Sequence, residues 1–496
     1  MRTIKPYTIL PYRFMRFKDE VLLVNEAGDF IFVKNTDFDK FRKFELRTQA
    51  ETFLNLKSKH LVTESNLALP VYQLATKYRT KKSFLNDFTA LHIFILTLRC
   101  NQNCRYCQAG SENETCYEHD MDISIAKKCV DYVFKSPSPV IKIEFQGGEP
   151  LLNFEVLKFV VKYAKALNKK HKKDLEFVVC TNLIALSDKI LKFLKKNKIL
   201  ISTSLDGPRN IHDANRILPN GEGTYEIVLK NIKRAQVTTG AQNVAALMVT
   251  TKSNFHNLEK VVDEYIAKGF DSIFFRTLHP FGRAARERNT LGYDIEEFVR
   301  NYKKALNYII EINLSGKYFS EIYATIVLSR ILTPFSTGFV DLQSPAGTGI
   351  GCAVYSQNGD VFVSDEARML AKMGDLRFRI GNVKENTYKE IFDGKNLREI
   401  ISSSCVETLP QCSECAFQMY CGADPVRNYY AQGSLIGHKP TSEFHERNYL
   451  IIKHLFELIR QDDPEIMNVF WSWITNRSIY DIKRINIREL NEKPNR

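Results

Sequence analysis

The chain has 496 residues, of which 44% are hydrophobic and 26% are charged, a balance that argues against intrinsic disorder, collagen-like repeats and membrane-spanning folds. The net charge of +13 is concentrated in lysine-rich segments such as KALNKKHKKD. These segments lack interleaved aromatic residues, so we interpret them as solvated helix faces and do not expect a nucleic-acid partner. The N-terminus has no apolar signal segment, and no apolar run is long enough to span a bilayer. We therefore expect a cytoplasmic protein whose 11 cysteines stay reduced and bind metal where they cluster.

Residues 1–85 are predicted to form a small α+β module. The run EVLLVNEAGDFIFV has two apolar stretches around a turn signal, which is typical of a β-hairpin. Two helical stretches follow, TDFDKFRKF and AETFLNLKSKHLV. A hairpin combined with helices is winged-helix-like, and such a module is a candidate for capturing the leader segment of a peptide substrate at an exposed strand edge.

Strand and helix patterns alternate between residues 86 and 300. Apolar strands separated by amphipathic helices predict an α/β fold with a parallel sheet covered by helices, and six such units favour a partial (β/α)6 TIM-like barrel. A helical connector (301–348), a glycine- and cysteine-rich region (349–446) and a C-terminal helical segment (447–496) follow. The predicted strands are LHIFILTL, VIKIEFQG, EFVVCTN, ILISTSLDG, NVAALMVT and SIFFRTL.

Cys100, Cys104 and Cys107 form the motif C-x3-C-x2-C directly after the first predicted barrel strand. In barrels of βα units the active site lies in the loops that follow the strands, so we expect these thiols at the active site. Three thiolates can hold three irons of a [4Fe-4S] cube and leave the fourth iron open. Zinc is the alternative, although structural zinc usually has four protein ligands. Tyr106, in the same loop, is a candidate to cover a flat ligand.

The motif and its position resemble those of the radical S-adenosylmethionine (radical SAM) enzymes. After the second strand, FQGGEP is similar to the family's GGE motif, which implies that the methionine amino group of the cofactor is held by Gly147, Gly148 and Glu149. The same resemblance implies ribose and carboxylate contacts from Asn182, Ser204, Asp206 and Arg216. It also implies reductive cleavage of S-adenosylmethionine to a 5′-deoxyadenosyl radical that removes a hydrogen atom from substrate. Arg276, at the end of the sixth strand, is a candidate to face that substrate.

A second group of cysteines lies in QCSECAFQMYC and comprises Cys412, Cys415 and Cys421. Its surroundings resemble the SPASM/twitch extension of radical SAM enzymes that act on peptides and proteins, which implies at least one auxiliary [4Fe-4S] cluster. Cys405 is the expected fourth thiolate, and His445 is the alternative ligand. Ser364 stands where the extension's pattern has a cysteine, so a second auxiliary cluster would have to use Cys352 with Asp365. Zinc is again an alternative, because C-x2-C pairs also bind zinc.

Segments near both ends, such as LPYRFMRFKDEVLLVNEAGDF and CGADPVRNYYAQG, resemble the His-Xaa-Ser system radical SAM maturases. This resemblance implies an enzyme that modifies a ribosomally made precursor peptide, alongside a second radical SAM maturase and with a reductant such as ferredoxin or flavodoxin. Three alternatives remain open: a sulfatase-maturating enzyme that makes formylglycine, an RNA-modifying radical SAM enzyme, and a non-catalytic metal-binding scaffold that presents a peptide. A sulfatase-maturating enzyme normally carries a full set of auxiliary cysteines, which this chain lacks.

Overall fold

The N-terminal part contains a three-stranded antiparallel sheet with its own apolar core. Its elements are β1 Thr8–Ile9, β2 Tyr12–Arg16, β3 Glu20–Asn25, β4 Phe30–Lys34, α1 Asn35–Lys43, α2 Glu51–Ser58, β5 Val62–Thr63, α3 Ala68–Lys81 and α4 Phe84–Asp87. In the computed structural model, which describes residues 5–64 and 67–491, β3 and β4 form the predicted hairpin and β2 adds a strand that was not predicted. Alternate residues of β3 face opposite sides, so Val21 and Leu23 join the N-terminal core whereas Leu22 and Val24 join the main core.

Six parallel strands form the sheet of the next part. The elements are β6 Leu91–Thr97, β7 Arg99–Cys100, β8 Glu112–Asn113, α5 Ile123–Val133, β9 Val140–Gly147, α6 Phe154–His171, β10 Asp174–Cys180, α7 Asp188–Asn197, β11 Leu200–Ser204, α8 Arg209–Asn215, α9 Tyr225–Thr239, β12 Val244–Val249, α10 Leu258–Ala267, β13 Ser272–Ile273 and β14 Phe275–Arg276. Strands β6, β9, β10, β11, β12 and β14 neighbour one another in chain order, and every pair is parallel. The predicted α/β fold with a parallel sheet is therefore confirmed.

The sheet continues into the C-terminal region, which the sequence pattern did not predict. The remaining elements are α11 Gly282–Arg286, α12 Arg288–Leu291, α13 Ile295–Leu314, β15 Ser320–Glu321, α14 Ile322–Leu332, β16 Cys352–Tyr355, β17 Asp360–Phe362, α15 Asp365–Lys372, β18 Arg379–Asn382, α16 Tyr388–Phe392, α17 Lys395–Ser402, α18 Pro425–Gln432, α19 Glu443–Arg460, α20 Pro464–Thr475 and α21 Ile479–Asn491. Strand β16 pairs in parallel with β6, and β17 and β18 extend the sheet with antiparallel pairs. The C-terminal region is thus joined to the strand that precedes the first cysteine motif.

The helices that follow β14 in the chain pack against one another, with α13 on α19 and α14 on α20. Helix α19 begins at Glu443, near the start of the predicted C-terminal helical segment (447–496), and its buried face includes Ile451, Ile452 and Leu455. Within the two described ranges, no helix is both long and apolar enough to cross a membrane.

Candidate functional site

A cavity of about 580 Å³ lies against one face of the parallel sheet and reaches the carboxyl ends of its strands. This volume falls in the range of about 300–1,000 Å³ that is usual for small-molecule sites. Side chains alternate along each strand, so Glu144 and Gln146 of β9 line the cavity while Phe145 between them is buried in the core. The loops after the strands complete the wall.

The three cysteines of the first motif all line this cavity. Their loop is held by backbone hydrogen bonds to the end of α8: the amide of Asn103 donates to Ile217 O at 2.7 Å, and the amide of Arg105 donates to Asn215 O at 3.0 Å. Burial raises the pKa of the Cys104 thiol to about 11. A bound cation would be needed to stabilise its thiolate, which is what an iron–sulfur cluster supplies.

Gly147 and Gly148 line the cavity beside these cysteines because their backbone packs directly on the end of β6. A Cβ atom on Gly147 would lie 2.1 Å from Thr97 O, and one on Gly148 would lie 2.2 Å from Arg99 O. Gly147 also has a φ of +145°, which a residue with a side chain rarely adopts. The two glycines therefore let the second loop approach the cysteine loop closely.

Glu149 lies at the end of the loop that carries the glycine pair. It does not form part of the cavity wall: its carboxylate is buried and accepts hydrogen bonds from Thr181 Oγ1 at 2.7 Å, from the amide of Asn182 at 2.8 Å and from the amide of Leu151 at 3.0 Å. Burial raises the pKa of Glu149 to about 7. The carboxylate joins the loop after β9 to the end of β10, so it holds this part of the cavity wall in position.

Asn182 and Ser204 lie on the cavity wall where the sequence places them, at the ends of the third and fourth barrel strands. The Asn182 side chain donates to Asn101 Oδ1 at 2.8 Å and accepts from the amide of Ile184 at 2.9 Å. Its amide is thereby fixed next to the cysteine loop. An amide and a hydroxyl at this place can serve as partners for a ribose.

The Asp206 carboxylate is buried and does not line the cavity. The Tyr106 hydroxyl donates to Asp206 Oδ2 at 2.5 Å, and Arg216 Nε lies 3.3 Å from the same oxygen. The Arg216 guanidinium lies 5.2 Å from the centroid of the Tyr106 ring. Tyr106 and Arg216 themselves line the cavity, so Asp206 acts on the site through these two side chains.

A further part of the wall comes from residues that carry no recognisable motif. It includes Asp341, Glu366 and Asp424, together with His279 and Arg447. Burial raises the pKa of the Asp341 carboxyl, and the nearby Glu366 raises it further. Among the residues that the structure describes, none forms a hydrogen bond or an ion pair with the Asp341 carboxylate. Asp424, three residues after Cys421, and Glu366, directly after Asp365, lie near sequence signals that could have located them.

Ion pairs and hydrogen bonds organise this wall. Arg427 Nη2 lies 2.6 Å from His279 Nε2, and His279 Nδ1 lies 3.5 Å from Glu366 Oε1. Burial lowers the pKa of His279 well below its usual value, and Arg427 lowers it further, so the imidazole is neutral and accepts from Arg427. The predicted residues Arg276, Cys352 and Asp365 line the same cavity.

The three thiols of one loop line the same cavity. In a [4Fe-4S] cube each thiolate binds a different iron, so three thiols on one loop can hold such a cluster. Arg216, Asn182 and Ser204 line the cavity as well. A guanidinium is able to bind a carboxylate, and an amide and a hydroxyl are able to bind a ribose.

The second cysteine group lines a separate, small and mostly apolar cavity. Cys412, Cys415 and Cys421 all contribute to it, and so does His445. Cys405 does not: its thiol lies 3.5 Å from Ile401 O. Cys405 therefore does not line this cavity with the other three cysteines, whereas His445 does.

Residues 94–265 match the family model described as the radical SAM superfamily. An uncharacterised protein of Methanocaldococcus jannaschii is 32% identical over 264 residues, which are 52% of this chain and 86% of that protein. The chain belongs to the radical SAM superfamily. It is therefore an enzyme, and the superfamily implies a [4Fe-4S] cluster and S-adenosylmethionine as its cofactors.

Relatives with assigned functions share the fold over most of this radical SAM chain. A cysteine-type anaerobic sulfatase-maturating enzyme of Clostridium novyi is 24% identical and covers 66% of this chain and 85% of its own. The solved structure of native anSMEcpe with bound AdoMet has a TM-score of 0.61 at 21% identity and covers 77% of this chain and 99% of its own. Streptococcus suis SuiB bound to precursor peptide SuiA has a TM-score of 0.52 at 13% identity and covers 88% and 99%.

Proposed function

We propose that this radical SAM enzyme is a peptide maturase that acts on a ribosomally made precursor of the His-Xaa-Ser repeat type. The observation that carries the proposal is the composition of the large cavity: the three-cysteine loop and the carboxylates of Asp341, Glu366 and Asp424 line the same space. Carboxylates suit the imidazole and hydroxyl groups of such a repeat, because they accept hydrogen bonds from both.

Different residues of the chain would hold the cofactors and the peptide. Cys100, Cys104 and Cys107 would hold the cluster, and the glycine pair with Asn182 and Arg216 would hold S-adenosylmethionine. When bound, these cofactors supply abstraction of a hydrogen atom from the substrate. The C-terminal wall would then bind the peptide side chain beside them and exclude water from the reacting atoms.

The N-terminal sheet is a candidate surface for the leader segment of the precursor. Strand β2 pairs only with β3 among the described strands, so its other edge is open to a further strand. Phe14 on β2 is 47% exposed. SuiB, whose fold this chain shares, has been solved with its precursor peptide, which supports peptide capture here.

The same sheet packs on the second cysteine group. Arg13 Nε donates to Ser413 O at 2.6 Å, and Tyr420 Oη donates to Gly28 O at 2.9 Å. Deleting the N-terminal part would therefore disturb the loop of Cys412 and Cys415 as well. Point substitutions on the open edge are the better test of leader binding.

The direct test of the proposal is anaerobic reconstitution with iron, sulfide and S-adenosylmethionine, followed by reduction with dithionite. A synthetic His-Xaa-Ser precursor should increase the rate of 5′-deoxyadenosine formation and should itself change in mass. Asp341→Asn should lose the mass change of the peptide while retaining 5′-deoxyadenosine formation without peptide. The exposed Asp393→Asn is the matched control and should behave as wild type.

A sulfatase-maturating activity is the second candidate, favoured by the likeness to the Clostridium novyi enzyme. Against it, Ser364 stands where the auxiliary pattern has a cysteine. Its Oγ caps α15 by accepting from the amide of Ala367 at 3.2 Å. Formylglycine production from a sulfatase peptide, with no change to the His-Xaa-Ser peptide, would favour this candidate over the maturase.

A further inference from the structure

We propose that His445 is the fourth protein ligand of an auxiliary [4Fe-4S] cluster whose other ligands are Cys412, Cys415 and Cys421. The proposal concerns the second cavity and holds whichever peptide or protein the enzyme modifies. The four side chains line one small cavity, and they come from two separate parts of the chain, the cysteine loop before α18 and the first turn of α19.

Cys405, the ligand expected from the spacing of the cysteines, lies outside that cavity. Its thiol is 3.5 Å from Ile401 O, in the turn that follows α17. The neighbouring charges are Glu407 and Lys82, which form an ion pair with each other at 2.5 Å. Cys405 therefore belongs to the contact between α3 and the C-terminal region.

The His445 imidazole is free to bind a metal. Its backbone amide is bonded to Ser442 Oγ at 3.3 Å, which fixes the start of α19, and its ring packs on Tyr449 with the two centroids 5.8 Å apart. No residue in the described part of the chain forms a hydrogen bond or an ion pair with either ring nitrogen. The cavity therefore contains three thiols and one half-buried imidazole without such a partner. Together these four side chains are the donor set of a mixed Cys3His site.

The surroundings of the cavity suit a sulfur-rich anion. The amide of Phe417 donates to Cys415 Sγ at 3.4 Å, and the Asn448 side chain lies 4.0 Å from Cys421 Sγ as a donor. Lys439, which is buried, lines the same cavity. Hydrogen bonds to the sulfurs and a nearby positive charge both stabilise a cluster held by thiolates.

A single zinc ion is the alternative occupant of a Cys3His set. Zinc requires all four donors at one point, whereas a cube spreads them over four irons. The iron and zinc contents of the reconstituted protein distinguish these two occupants.

The experiment uses the full chain with Cys100, Cys104 and Cys107 replaced by Ala, so that only the auxiliary site can hold iron. After anaerobic reconstitution, this variant should contain about four irons and little zinc. Pulsed electron paramagnetic resonance of the reduced protein should detect a nitrogen atom that is strongly coupled to the cluster, which is the nitrogen of the His445 ring. His445→Cys should keep the iron, lose the nitrogen coupling and shift the reduction potential to a more negative value, because a thiolate replaces a neutral imidazole.

Two further variants separate the ligands. His438→Ala removes an exposed histidine close to the site and should leave the nitrogen coupling unchanged. Cys405→Ala should keep the iron and the potential of the parent. Loss of iron in Cys405→Ala, nitrogen coupling that persists in His445→Cys, or zinc in place of iron would each overturn the proposal. Circular dichroism of every variant checks that it is folded.

Discussion

The Tyr106 hydroxyl and the Asp206 carboxylate are joined by a hydrogen bond of 2.5 Å, which links the cysteine loop to the end of the fourth barrel strand. The same carboxylate lies 3.3 Å from Arg216 Nε. Asp206 is buried, so it holds two cavity side chains in place without lining the cavity itself.

Replacing Asp206 by Asn should be strongly destabilising, because it leaves the buried Arg216 guanidinium without its counter-charge, at a cost of about 3–5 kcal/mol. Tyr106→Phe removes one hydrogen bond to a charged group and should cost about 1.5–3 kcal/mol. Denaturant unfolding of the iron-free chain measures both values, and Asp393→Asn at an exposed site is the control. Equal stability of Asp206→Asn and wild type would contradict the assignment of Asp206 as a positioning residue.

Gly147→Ala should abolish binding of S-adenosylmethionine, because the new Cβ would lie 2.1 Å from Thr97 O and would push the second loop away from the cysteines. Gly374→Ala is the matched control: it also has a positive φ, of +105°, but no atom lies within 4 Å of its Cβ position. It should cost stability of about 1–3 kcal/mol through backbone strain without changing cofactor affinity. Isothermal titration with S-adenosylmethionine compares the two, and equal affinities would refute the close-approach argument.

The barrel strands, the first cysteine loop and the glycine pair could be predicted because each depends on local sequence. Buried parallel strands are continuously apolar, and the spacing of the cysteines is a short-range signal. The hydrogen-bond partners of Glu149 and Asp206 could not be predicted, since Thr181 and Tyr106 are 32 and 100 residues away. A motif identifies a residue type, but only the packing decides whether its side chain faces the cavity or lies behind it.

Two further differences between the sequence-based predictions and the structure also have long-range causes. Strand β16 joins the sheet through pairing with β6, more than 250 residues earlier in the chain, and its four residues are too few for a periodic signal. The place of Cys405 was expected from its position before the C-x2-C pair. Three-dimensional packing instead brings His445 to the cavity from the start of α19.

His92 should make the stability of the protein depend on pH. Its Nδ1 lies 3.2 Å from Tyr355 Oη where β6 meets β16, and burial lowers its pKa to about 3. The unfolded chain, with a histidine pKa near 6.5, binds more protons than the native chain between these values, so stability is complete above about pH 6.5 and falls as pH decreases towards about 3.

His92→Gln should reduce the slope of unfolding free energy against pH between about pH 6.5 and pH 3, which urea unfolding at several pH values would measure. His438→Gln at an exposed site should leave the slope as in wild type. An unchanged slope in His92→Gln would show that the buried imidazole is not the origin of the pH dependence.

Phe14→Asp should weaken precursor binding by ten-fold or more if the leader adds to the edge of β2. A charged side chain would then lie beside the added strand, while the cofactor cavity would remain intact. Leu54→Asp is the matched control, since Leu54 is similarly exposed, at 52%, on α2 of the same module. Fluorescence anisotropy with a labelled leader peptide gives the affinities, and equal weakening by both variants would argue against edge capture.

The most direct measurement of the central claim is mass spectrometry of a His-Xaa-Ser precursor peptide after anaerobic co-expression with this enzyme. The peptide should change in mass within its repeat region, and the change should disappear when Cys104 is replaced by Ala. A precursor that keeps its original mass, with a reconstituted enzyme that still forms 5′-deoxyadenosine, would contradict the assignment of this peptide as the substrate.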